Sequence, residues 1–415
     1  MNQIKQGYKQ TKVGIIPEDW EIVKLGKLTT VETGKTPLRS NKQFWDNGTI
    51  NWATTTEVNE TYIVSTNEKI TNQAVAELKM KILPINTILL AMYGQGKTRG
   101  KVALLRIEST INQAFASIKP NKNYSTNFVF NYLDKSYEKI RDLSHGSNQD
   151  NLNLDIVKAL QIPLPPLKEQ EKIAEILTTW DEAITKQEEL IKAKELQKKG
   201  LMQKLLSGEV RFSGFSDEWE EVRLSKIIKL QGGYAFKSEE FKKKGIPIIR
   251  ISNISNNSNY MEMNDLIYYD ELSNESNFLI KKNDLLIAMS GATTGKVSIY
   301  NLKKKAYLNQ RVGLFKVIKP TLINYSFLIQ FVFSNFFSVQ LKSLLVAGAQ
   351  PNISSKDIES LKIKLPSLPE QQKIAEVLSL VDDEINLLKN ELEELKQQKK
   401  ALMQKLLTGQ MRVKV

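Results

Sequence analysis

A step of four, three, four, three residues from Ile374 lands on Ile374, Leu378, Val381, Ile385, Leu388, Leu392, Leu395, Lys399, Leu402 and Leu406, nine of them apolar. That period is the narrow seam of a coiled coil rather than the broad face of a solitary surface helix. The same stepping from Ile173 gives Ile173, Leu177, Trp180, Ile184, Gln187, Ile191, Lys194, Lys198, Leu201 and Leu205, seven of ten apolar. The second seam is interrupted in its middle, where Gln187, Lys194 and Lys198 are expected to loosen the pairing. Pro166 and Pro369 stand just ahead of the two segments, where proline is tolerated, and Gly208 and Gly409 stand where a C-terminal glycine cap belongs. About 40 residues at ~1.5 Å each make helices roughly 60 Å long.

The two seams belong to a repeat that covers the chain. P-E-D-W-E-I-V-K-L-G-K-L from Pro17 matches F-S-D-E-W-E-E-V-R-L-S-K-I from Phe215, with Trp20 on Trp219. T-I-L-L-A-M-Y-G from Thr87 matches D-L-L-I-A-M-S-G from Asp284, Gly100-Lys101-Val102 matches Gly295-Lys296-Val297, and Asn112-Gln113 matches Asn309-Gln310. L-P-P-L-K-E-Q-E-K-I-A-E-I-L from Leu164 matches L-P-S-L-P-E-Q-Q-K-I-A-E-V-L from Leu365, and L-M-Q-K-L-L-S-G from Leu201 matches L-M-Q-K-L-L-T-G from Leu402. The order is therefore domain, helix, domain, helix, with divergent sequence between the anchors. An antiparallel helix pair needs only the short linker Glu209 to Asp217, whereas a parallel pair would oblige the second domain to bridge a whole helix length. The alternative is two helices packed each on its own domain.

Outside the long helices lie short apolar runs with β-branched residues, such as Ile82 to Met92, Val102 to Ile107, Pro247 to Ile251 and Leu285 to Met289, which read as strands. Phe128 to Leu143 and Tyr325 to Leu345 read as helices. The expected fold is α+β: two pseudo-symmetric domains, residues 1–166 and 209–368, joined by two long helices, residues 167–208 and 369–415, that form an antiparallel coiled coil.

Composition narrows the chemistry. The 59 Lys and Arg against 46 Asp and Glu leave a formal charge of +13, which fits an acidic partner such as nucleic acid, although many basic proteins bind none. There is no cysteine and one histidine, His145, so disulfides, thiolate metal sites and two-histidine metal sites are excluded, and a Ser-His-Asp triad has little to stand on. No metal site or catalytic constellation is expected, and no N-P-P-[YF] or D-P-P-[YF] methyltransferase string occurs. The opening residues are polar without a secretory apolar core, and Tyr325 to Phe337 is too short to span a bilayer, so a cytoplasmic location is expected.

One string, A-M-Y-G-Q-G-K-T from Ala91, satisfies a loose phosphate-loop pattern. Such a loop must open a helix whose N-terminus receives the phosphates, yet R-G-K-V-A-L-L-R-I follows and reads as a strand. A glycine-rich hairpin present in both copies is the better reading, against the plainer alternative of an ordinary solvated turn. It carries Gln95, Lys97, Thr98 and Arg99 in the first copy and Thr293, Thr294 and Lys296 in the second. Lys and Arg neutralise phosphates, while Gln, Thr and Arg also bond base edges. Side-chain chemistry and the repeat add Thr54, Thr55, Asn112 and Gln113 in the first copy, and Arg250, Ser252, Asn253, Asn309, Gln310 and Arg311 in the second, as candidate DNA contacts.

The paired L-P-x-L-x-E-Q-x-K-I-A-E blocks, the helix endings L-M-Q-K-L-L-[ST]-G and the D-W-E and E-W-E openings resemble the conserved regions of type I restriction–modification specificity subunits. The resemblance covers essentially the whole chain. It implies that each globular domain is a target recognition domain reading one half of a split, asymmetric DNA sequence, and that the helices are the spacer between the halves. It further implies a non-catalytic chain that holds two adenine-N6 methyltransferase subunits, joined by translocating nuclease subunits. S-adenosylmethionine, ATP and magnesium then belong to those partners. A chain serving a fused methyltransferase–nuclease, a coiled-coil scaffold that reads no DNA, and a phosphate-loop enzyme are the competing readings.

Overall fold

The computed structural model describes residues 4–59, 61–94, 96–143, 151–254, 259–261, 263, 265–272, 277–347 and 352–415. Gln95 and His145 lie outside the described residues. The chain forms two compact units, residues 1–187 with 391–415, and residues 188–390. Each unit therefore takes one globular part and a segment of both long helices.

In the first unit an antiparallel core of four strands runs Val31–Thr33, Phe115–Ile118, Ile88–Ala91, Val102–Leu105, extended by Tyr62–Ile63 parallel to the last. A smaller sheet sets Ile50–Ala53 between Thr110–Ile111 and Glu68–Ile70. The second unit repeats this plan: Ile228–Gly232, Val312–Val317, Leu285–Ala288, Val297–Ile299 in one sheet, and Ile267–Tyr269, Ile246–Ile249, Ala306–Leu308, Leu279–Ile280 in the other. Ile88–Ala91 and Leu285–Ala288 are buried at every position, which is why they read as continuous apolar runs rather than alternating ones.

The two expected globular helices are each broken in two. Thr126–Lys135 and Tyr137–Asp142 meet at Ser136, and Tyr325–Val332 and Asn335–Ala347 meet at Phe333–Ser334. Ser136 donates its backbone N–H to Tyr132 and Leu133, and Ser334 donates its N–H and hydroxyl to Phe331, which closes the first helix of each pair. Among the described residues no single helix is long and apolar enough to cross a membrane; the second pair bends by 57° and buries Phe327, Leu328, Phe331, Phe337 and Leu341 in its own unit.

The long helices span Leu167–Ser207 and Leu368–Leu406. Gly208 and Gly409 end them at φ of 77° and 69°, the left-handed conformation that glycine enters without strain. Val210 and Met411, two residues beyond each glycine, then donate their N–H groups back to the carbonyls of Lys204 and Lys405 and so cap the last turn. Of the seam positions, Ile173, Leu177, Ile191, Leu205, Ile374, Leu378, Ile385 and Leu406 are buried, and Trp180, Ile184, Leu201, Val381, Leu388, Leu392, Leu395 and Leu402 half-buried. Leu196, off the seam, is 71% exposed. Pairing is antiparallel within each unit. In the first, Asp181 meets Lys399 and Gln187 meets Glu391; in the second, Lys194 meets Glu384 and Lys198 meets Asp382.

The polar seam residues thus do not loosen the pairing as expected. Gln187 donates to Glu391 at 3.2 Å, Lys194 bridges Glu384 at 2.6 Å, and Lys198 donates to Asp382 at 2.5 Å. Asp382 also accepts from Asn259 and Gln330, both at 3.0 Å. The repeat exchanges the partners: Lys198 and Lys399 are equivalent, as are Asp181 and Asp382, so each unit holds one copy of the same interhelical ion pair. A charge at a seam position tolerates few registers, because a slip buries it unpaired.

Candidate nucleic-acid interface

In the first unit four loops are fastened together by backbone hydrogen bonds. Asn112 donates its N–H to Ala53, which ties the loop after Thr110–Ile111 to Thr54 and Thr55. Met92 donates to Ala114, which brings in the glycine-rich loop, and Lys35 donates to Ile111, which brings in the loop after Val31–Thr33. In the second unit Asn309 donates to Ile249, Met289 to Arg311, and Tyr234 to Leu308. The candidate residues therefore converge on one loop edge in each unit.

The glycine-rich turns are built alike. Gly100 and Gly295, at φ of 86° and 82°, donate to the carbonyls of Ala91 and Ala288, whose own N–H groups donate to the carbonyls of Lys101 and Lys296. Lys101 and Lys296 donate back to Thr98 and Thr293. Strands Val102–Leu105 and Val297–Ile299 follow, so these are hairpins, with no helix N-terminus to receive a phosphate. The first hairpin loop is two residues longer than the second between the equivalent Ala91–Gly100 and Ala288–Gly295.

The candidates divide by what their polar atoms do. Lys97, Gln113, Ser252, Gln310 and Arg311 are exposed, and Thr55, Thr98, Arg99, Thr293, Thr294 and Lys296 half-exposed. Thr54 gives its N–H and hydroxyl to Glu57, at 2.9 and 2.8 Å, and shapes the turn that follows the strand. Asn112 and Asn309 bend their Oδ1 atoms back to the N–H of Ala114 and Arg311. Thr293 and Thr294 donate to Ile251 and Gly291, and Arg250 donates to the Asp265 carbonyl. Asn253 is corrected as a surface contact: it is 1% exposed and its Oδ1 accepts from the Arg250 N–H, so it closes a turn.

Sequence reasoning missed the first loop of each edge. Gly34 and Gly233 press against a carbonyl so closely that a Cβ would stand 1.9 Å from the Ile111 oxygen and 2.0 Å from the Leu308 oxygen. Only glycine allows that approach. Each lies 14 residues after its aligned tryptophan, Trp20 and Trp219, and that shared spacing was the available signal. The next residue is Lys35 in one unit and Tyr234 in the other.

Comparison with known proteins decides the family. The model of the type I restriction modification DNA specificity domain matches residues 17–195 and again 216–397. The chain belongs to that family. The specificity subunit of the type I restriction enzyme MjaVIII of Methanocaldococcus jannaschii is 29% identical, over 99% of this chain and 97% of its own length. That of EcoKI from Escherichia coli K12 is 24% identical, over 87% and 82%. Among solved structures, the type I S subunit of M. genitalium has the same fold, with a TM-score of 0.60 at 18% identity, covering 97% of both chains.

The blocks that carry the family resemblance have a mechanical reason in this type I specificity protein. Gln170, the Gln of the first E-Q, accepts from the Ser125 N–H at 2.9 Å and donates to the Pro165 carbonyl at 2.8 Å. Its equivalent Gln371 accepts from Asn324 and donates to Leu322 and Pro366, at 2.8, 2.9 and 2.9 Å. Ser125 and Asn324 are the N-caps of the equivalent globular helices, so each Gln rivets a recognition domain to the start of a long helix. The neighbouring Glu169 and Glu370 are buried and paired with Arg412 and Arg211, which follow the capped end of the other helix in the same unit. In the first unit Arg412 also grips Asp19 and holds its carboxyl below the usual carboxylate range. Trp20 donates to Glu169 at 3.3 Å, whereas the indole N–H of Trp219 is buried without an acceptor.

Proposed function

We propose that this specificity subunit binds a bipartite, asymmetric duplex, with one loop edge reading each half. It presents that duplex to two adenine-N6 methyltransferase subunits, and translocating nuclease subunits complete the restricting assembly. The observation that carries the reading is the pair of loop edges: the same backbone bonds hold the loops that carry Lys35, Gln113 and Ala114 in one unit and Tyr234, Gln310 and Arg311 in the other. Equivalent frames whose exposed side chains differ in part suit two different half-sites. The paired helices set the gap, and the swapped Lys–Asp pairs fix their register. S-adenosylmethionine, ATP and magnesium act in the partner subunits. Adenine in a duplex must be flipped out to be methylated, so this chain supplies grip and register while the partner does the chemistry.

The test is equilibrium binding of the subunit with its methyltransferase partners to duplexes carrying the host's methylated motif. Scrambling either half should cost at least a hundredfold, and lengthening the gap by two base pairs should cost as much. Lys97→Ala and Arg311→Ala should weaken binding and make the log–log salt slope shallower by about one each. Equal affinity for scrambled and intact duplexes would leave a coiled-coil scaffold as the better reading.

A further inference from the structure

The two loop edges differ at the residue after the close-packed glycine. In the first unit that residue is Lys35, whose ammonium donates to the Leu78 carbonyl at 2.7 Å and whose own carbonyl accepts from the Trp52 indole at 3.0 Å. Lys35 is thereby engaged on both sides by its own domain. In the second unit the residue is Tyr234, which is 39% exposed. Its backbone is pinned from both directions: the N–H donates to Leu308 at 2.8 Å, and the carbonyl accepts from Gln310 at 2.9 Å. The ring rests on Phe236 and Phe278, with centroids 5.0 and 5.1 Å away. Phe236 rests in turn on Tyr269 and on the fully buried Tyr307.

This is a rigid aromatic surface beside Gln310 and Arg311, both exposed and both candidates for polar base contacts. A tyrosine so supported has little rotamer freedom to lose on binding and offers a flat apolar face. In the major groove the apolar feature of a base edge is the thymine 5-methyl group.

We propose that Tyr234 is a specificity-determining residue of the second unit, its ring covering the methyl group of one thymine in the half-site that unit reads. The inference rests on the DNA-reading function proposed above. It makes the second edge part apolar in its readout.

The experiment uses the intact complex with its methyltransferase subunits and duplexes of the host's methylated motif, with each thymine of the second half replaced singly by deoxyuridine. One replacement should weaken wild-type binding about fourfold, the equivalent of one buried methyl group. Tyr234→Ala should weaken binding to the parent duplex by a similar factor and become indifferent to that one replacement. Tyr234→Phe should behave as wild type, and the salt slope should not move in either variant, since no charge changes. A Tyr234→Ala protein that keeps the full wild-type response at every thymine overturns the inference. Loss of discrimination at the first half-site as well would also overturn it, by showing that the substitution acts through the fold. A wild-type complex that binds scrambled duplexes equally well sinks the functional reading instead.

Discussion

The start of each long helix and the loop edge of each unit are both duplicated, but they are duplicated differently. At the helix starts the side chains themselves repeat: Glu169 and Glu370 take an arginine, and Gln170 and Gln371 take the N-cap of a globular helix. At the loop edges the backbone frame repeats, through Asn112 and Asn309, Met92 and Met289, Gly34 and Gly233, while the side chains that reach solvent repeat at Gln113 and Gln310 and differ at Lys35 and Tyr234 and at Ala114 and Arg311. The side chains are kept where the two units are held in the same way, and change more freely at the edges proposed to read different half-sites.

The comparison can be broken in three places. The largest effect is expected at the glutamines. Truncating a buried carboxamide leaves several backbone groups without partners, at about 1–3 kcal/mol each. Gln170→Ala and Gln371→Ala should each destabilise the protein by about 3 kcal/mol in chemical denaturation, with Gln371, which makes one more bond, the costlier. Equal and negligible losses would remove the anchoring role. Next come the aspartates that pair with the seam lysines. Asp382→Ala strands Lys198, Asn259 and Gln330 together and should cost about 2 kcal/mol, more than Asp181→Ala, since a lost partner for a buried group is expensive. The charge exchange Lys198→Asp with Asp382→Lys should recover part of that loss if register is what the pair secures. The smallest effect distinguishes the two tryptophans. Trp20→Phe gives up a hydrogen bond to Glu169 and should cost about 1 kcal/mol more than Trp219→Phe, whose indole N–H has no acceptor to lose.

Much of this architecture was legible in the sequence because it rests on periodicity. Every seam position from Ile173 to Leu406 is buried or half-buried, and the glycine caps fall where the pattern placed them. What the pattern misread were polar residues whose partners lie far along the chain. Lys198 looks like a flaw in a seam until Asp382 is set beside it, 184 residues away. The loop edges were legible in part: the duplicated Gly-Lys-Val and Asn-Gln strings marked the right places. They did not show that Asn112, Asn309 and Asn253 turn inward, because the same carboxamide serves a turn or a base equally well by composition. The glycine approach at Gly34 and Gly233 depends on a carbonyl from another strand, which no local pattern encodes.

The central claim is that two units read two half-sites independently. It is tested most directly by single-molecule sequencing of methylated adenines in a host expressing this chain, and in one where residues 209–368 are replaced by the matching domain of another specificity subunit. The account predicts a bipartite motif with unequal halves, of which the exchange alters one half and leaves the other half and the gap unchanged. A continuous motif, or an exchange that alters both halves, would contradict it.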